Sequence, residues 1–138
     1  MLHAVLPPTP AFFDNFELGS TEFMECIWSD YVEKTPIETE SIRKQKGVAD
    51  FNRSMDAFKS TVLIKGHFPT KPPITTFDNK CITIQTTRVF KGICDRHIVI
   101  IDLEKPVNNA NDIEIINLDK LLETEENHKV LKKQGIII

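Results

Sequence analysis

The chain has 138 residues, with 17 Lys and Arg against 20 Asp and Glu, a formal net charge of -3, and 41% hydrophobic residues. A chain of this size can bury a core without disulfides or metal, and no apolar run approaches the ~20 residues of a membrane span. The N-terminal stretch lacks the charged and apolar regions of a signal peptide, and three cysteines are too few and too odd in number for a disulfide framework. One intracellular protein, cytoplasmic or nuclear and without a membrane segment, is the expectation.

In chain order, Leu6-Pro7-Pro8-Thr9-Pro10 cannot form helix, because proline fixes φ and lacks a donor. Residues 1–16 are therefore predicted to be an extended Pro/Phe-rich arm, with Phe12, Phe13 and Phe16 at its end, and residues 17–138 a single domain. Thr21 to Val32 is rich in aromatic and β-branched residues, so Phe23, Cys26, Ile27, Trp28 and Tyr31 predict a strand entered after the Gly19-Ser20 turn. Thr35-Pro36-Ile37-Glu38 combines a cap, a first-position proline and a capping-box Glu, which predicts a helical segment near 36–58 interrupted at Gly47. In its second half Val48, Phe51, Met55 and Phe58 recur with the period of one helical face.

From Thr61 the pattern is that of strands. Val62 to Phe68 ends at Pro69, Ile74 to Phe77 leads into an Asp78-Asn79 turn, and Cys81 to Phe90 returns. Ile98-Val99-Ile100-Ile101 is apolar without alternation, the pattern of a strand covered on both faces and hence of a sheet centre. Ile113 to Ile116 predicts a short strand, and Asn117 a cap for a C-terminal helix near 118–132 with Leu118, Leu121 and Leu122 inward and Asp119 favourable in its first turn. The predicted class is α+β, with a mainly antiparallel sheet of about five or six strands, a meander or a small OB-like barrel.

Charge is unevenly spread. Residues 1–33 hold six acids and no Lys or Arg, whereas residues 59–96 hold seven basic residues against Asp78 and Asp95. The two segments either complement each other within one folded unit or leave the basic one facing a partner. Single-stranded nucleic acid is bound by cations interleaved with aromatic stacking platforms, and Lys65, Lys71, Phe77, Lys80, Arg88, Phe90, Lys91 and Arg96 supply both types. A sequence pI of 5.8 weighs against this reading.

Catalytic signatures are missing. The five glycines are isolated, so no phosphate cradle occurs, and no nucleophile elbow is present. Cys94 and His97 have a zinc-compatible spacing but no second pair, so no metal and no cofactor is expected. A small enzyme built from His67, Cys94 and His97 is the weakest alternative. The leading expectation is a non-enzymatic protein–protein interaction module, a subunit or adaptor binding another chain in a hetero-complex or homodimer. Phe12, Phe13, Phe16, Ile136, Ile137 and Ile138 are its candidate contacts, because apolar segments near both ends can add a strand to a partner or fill its pockets.

Overall fold

A computed structural model of the chain describes residues 4–14, 17–37, 43–66, 74–86, 94–121 and 123. The predicted sites Phe16, His67, Lys71, Arg88, Phe90, Lys91 and Ile136 to Ile138 lie outside them. The described part is mixed α+β, with small sheets and short helices. It forms neither a closed barrel nor a five- or six-stranded antiparallel sheet.

Thr21–Trp28 is an α-helix, α1, and not the predicted strand. Its residues have strand propensity, but local interactions at its start outweigh that preference. Ser20 Oγ accepts from Phe23 N at 3.2 Å, Met24 N donates to the Ser20 carbonyl at 2.9 Å, and Glu22 sits in the first turn. Only the end of the predicted segment is extended: β1, Asp30–Tyr31, pairs in parallel with β2, Gln45–Lys46. The helix expected from Thr35 does not begin there. Thr35 to Ile37 is irregular and exposed, and Gly47 stands at the N-cap of α2, Val48–Ala57, instead of interrupting a longer helix. Pro36 Cγ would lie 2.9 Å from a Cβ at Gly47, so the close approach favours glycine, and the Gly47 N–H donates to Asp50 Oδ2.

The remaining strands are β3 (Leu63–Lys65), β4 (Thr75–Thr76), β5 (Cys81–Thr83), β6 (His97–Ile100) and β7 (Glu114–Asn117). β4 and β5 form the predicted antiparallel hairpin, but β3 pairs with β5 in parallel. Alternating sequence patterns set which face a residue occupies, not the direction of its partner strand, so a mainly antiparallel sheet does not follow from them. The turn between β4 and β5 places Phe77, Asp78 and Asn79 at positive φ. Such a conformation is unusual for phenylalanine; here the Phe77 N–H donates to Glu33 Oε1 at 2.6 Å and its ring is locked in the core.

β5 is the central strand of its sheet, and its two faces serve two apolar clusters. Cys81 joins Val5, Leu6, Tyr31, Phe51, Met55, Leu63 and Phe77. Phe51 stacks on Phe77 at 4.2 Å between centroids, and Tyr31 meets Phe51 edge-on at 5.2 Å. This explains the period of α2: Phe51 and Met55 are buried, and Phe58 packs against the same cluster. Val5 and Leu6 reach it from the N-terminal arm, where the Val5 N–H donates to the Cys26 carbonyl. Ile82 points the other way, to Ala110 and Ile113.

After β7, Leu118–Leu121 forms α3, with Asn117 Oδ1 accepting from Lys120 N as its cap. Residues of the predicted helix beyond this turn, apart from Glu123, lie outside the described residues. Asp119 does more than favour the first turn. It accepts from the Arg96 backbone N–H at 2.7 Å and from the guanidinium Nε and Nη2 at 2.8 and 2.5 Å, tying α3 to the start of β6. Asp119→Ala is expected to cost about 1–2 kcal/mol, since it removes charge-assisted bonds and strands a backbone donor in a partly solvated site. An unchanged urea midpoint would show that the clamp contributes nothing.

Candidate functional site

The β6–β7 ribbon combines order with exposed apolar surface. Its antiparallel register is His97↔Asn117, Ile98↔Ile116, Val99↔Ile115 and Ile100↔Glu114. Period-two geometry then separates two faces. Val99 and Ile115 lie on the inner face, packed against the Ile82, Ala110 and Ile113 cluster, with His97 buried on the same side. Ile98, Ile100 and Ile116 lie on the outer face with Glu114. Ile100 is 49% exposed, and the chain continues into exposed Ile101 and into Leu103, which is 90% exposed.

One edge of the ribbon is open among the described residues. Leu118 N donates to the Arg96 carbonyl, so by alternation the ladder bonds run through Ile98 and Ile100. The His97 N–H points the opposite way and donates to the Gln85 carbonyl at 2.7 Å. Among the described residues, the next outward backbone groups, those of Val99, have no further partner. The apolar run at Ile98 to Ile101 is therefore not the covered sheet centre its sequence predicts. It belongs to a two-stranded sheet with one packed face.

The N-terminal candidates are divided. Phe13 is exposed and meets Phe58 edge-on at 6.0 Å, while Phe12 is half-buried and meets Phe13 edge-on. The described members of the basic segment do not share one surface. Phe77 is buried in the aromatic stack, so it offers no face to a nucleobase; Lys65 is 5% exposed; Arg96 is engaged by Asp119; Lys80 is exposed. Cys94 is buried, and desolvation, reinforced by Asp95 and Asp119, raises its thiol pKa, opposite to the shift that activates a thiolate nucleophile. Among the described residues, no three His, Cys, Asp or Glu side chains converge to hold a metal ion. No helix among them is long and apolar enough to cross a membrane.

A second feature shares no lining residue with the ribbon. A cavity of about 430 Å³ is lined by Asp30, Arg43, Gln45, Lys65, Thr76 and Thr83, among others. Lys65 shares a strand face with Leu63, two residues earlier, and lies opposite Thr83 of β5. Burial depresses its ammonium below the ordinary lysine pKa, while Asp30 nearby partly restores it. The sequence signal for it is the alternation Leu63-Ile64-Lys65, which places Lys65 on the Leu63 face, although a strand lysine is ordinarily solvated.

Compared with family models, with curated proteins and with solved structures, the chain matches none.

Proposed function

We propose that the chain is a non-enzymatic interaction module, a subunit or adaptor that docks another protein chain on the β6–β7 ribbon. The observation that carries this reading is the outer face itself: Ile100, Ile101 and Leu103 remain exposed beside a strand edge whose Val99 backbone groups pair with no described residue. A partner strand can pair with that edge while its side chains cover the isoleucines, and this combines backbone bonding with apolar burial. Phe13 offers a further aromatic contact. Three free thiols go with a reducing, intracellular location.

The test is purification of the full chain from its native source, with partners measured by quantitative mass spectrometry. A stoichiometric protein partner should be retained by the wild-type chain and lost from an Ile100→Lys, Leu103→Lys double variant whose thermal unfolding is unchanged. Retention by both forms would overturn the ribbon as the docking face. Nucleic acid in place of protein, shed as salt rises and lost with Lys80→Glu, would replace this reading with single-stranded nucleic-acid binding.

A further inference from the structure

We infer that the segment docking on the β6–β7 ribbon is an extended strand whose apolar side chains are flanked by Lys or Arg on the same face, and that it belongs to a different protein and not to a second copy of this chain. The inference rests on the ribbon being the docking face and adds the chemistry of what docks there. On the outer face Ile98 and Ile100 lie beside Ile116, and Glu114 stands directly across from Ile100. Charge is concentrated at that end of the ribbon. The stretch 100–114, which leads from β6 into β7, holds Asp102, Glu104, Asp112 and Glu114 against Lys105 alone. Asp102 is bonded to Lys105 and to the Glu104 N–H, and Asp112 Oδ2 accepts from the N–H groups of Asn108 and Asn109. Glu104 and Glu114 are exposed, and neither carboxylate makes a hydrogen bond or ion pair with a described residue.

A strand added at the β6 edge sets its side chains beside Ile98 and Ile100, two strand spacings or about 9–10 Å from β7. A Lys or Arg beside Ile100 spans that gap: its stem covers the isoleucine while its cation meets Glu114. A further cation beyond Ile100 balances Glu104. An acidic strand would meet the same two carboxylates, so the charges that attract one partner reject another. A second copy of this chain lacks the required cation. Antiparallel self-pairing of β6 would bring to this end Asp95, another acid, and Arg96, whose charge is already taken by Asp119.

The experiment is amide chemical-shift titration of the full chain at low salt with three end-capped peptides: Lys-Thr-Val-Thr-Val-Thr-Lys, the same core with Glu in place of both Lys, and the Lys-flanked form with Ser in place of both Val. The Lys-flanked valine peptide is expected to bind saturably and shift the Val99 and Ile100 signals, with the Glu-flanked and serine peptides each weaker by about tenfold or more. Added salt should narrow the gap between the Lys- and Glu-flanked forms, and a Glu104→Gln, Glu114→Gln double variant, exposed at both positions, should nearly abolish it. If the Glu-flanked peptide binds as tightly as the Lys-flanked one, the charge preference is wrong while the ribbon stands as a docking face. Binding that leaves Val99 and Ile100 unshifted, or that the serine peptide matches, overturns the inference, as does a complete lack of binding by the Lys-flanked valine peptide. A homodimer in sedimentation that dissociates with Ile100→Lys overturns the choice of a different protein as the partner.

Discussion

Phe51→Ala is expected to destabilise the protein by about 3–5 kcal/mol, the largest effect of any single substitution in the aromatic cluster. Phe51 is fully buried, stacks on Phe77 at 4.2 Å and receives the edge of Tyr31 at 5.2 Å. Removing its ring discards the burial of an aromatic side chain and leaves a cavity between α2 and the β4–β5 turn. The turn has little freedom to collapse into that space, because Phe77 is held at φ +55° by the Glu33 bond and by its neighbours in the core. A domain stable by only ~5–15 kcal/mol would lose a large part of its margin. Phe51→Leu, which refills most of the volume, should cost about 1–2 kcal/mol. Urea denaturation separates the two; equal midpoints for both variants would mean that the stack carries no special share of the core energy.

Lys65→Met should act in the opposite direction and raise stability at neutral pH by about 1–2 kcal/mol, because it replaces a desolvated ammonium that hydrogen-bonds no described residue with an apolar chain of similar length. The pH dependence gives the sign a second check. Burial holds the folded-state pKa of Lys65 below its ordinary value of 10.5, so the unfolded chain binds the proton more tightly. The penalty is therefore fully present below the folded pKa. It is relieved as pH rises from that value toward 10.5.

Other groups in this region titrate in the opposite sense. Desolvation raises the Cys81 thiol above its ordinary 9.0 and the Tyr31 hydroxyl above 10.0. Both stay neutral in the fold while the unfolded chain ionises, so the stability they support is present at neutral pH and is lost as pH rises past 9.0 and 10.0. The advantage of Lys65→Met over wild type should thus be greatest near neutrality and shrink as pH approaches 10.5. A constant difference across that range, or a less stable variant at pH 7, would contradict the assignment of Lys65 as a buried cation whose desolvation outweighs its attraction to Asp30.

Much of the local structure was legible because local interactions decide it. The spacing of Phe51, Met55 and Phe58 places α2 and its buried face; the turn-forming pair Asp78-Asn79 lies at the bend between β4 and β5; Asn117 caps the turn that starts at Leu118. The segments that became β3, β4, β5, β6 and β7 lie within or beside stretches whose composition predicts strands. The Thr21–Trp28 helix shows where this reasoning fails. Aromatic and β-branched content measures fit to a sheet face, and a good Ser20 cap outweighed it where, among the described residues, no strand pairs with this segment.

What the tertiary structure alone decided was how these pieces meet. Alternation in Leu63-Ile64-Lys65 and Cys81-Ile82-Thr83 assigns faces, but the parallel pairing of β3 with β5 depends on a connection outside the strands themselves. The same holds for function. Residues 59–96 are basic in composition, yet Lys65 and Arg96 are turned inward and Phe77 is stacked in the core. An apolar run at Ile98–Ile101 records that a surface avoids water without saying whether its own chain or another covers it; only the register of β6 with β7 shows that one face packs inward while the other stays open among the described residues. Sequence by itself determined where the apolar and turn-forming segments lie, through interactions between near neighbours. Which of them are buried, and which strands and charges meet, were decided by contacts between residues far apart in the chain.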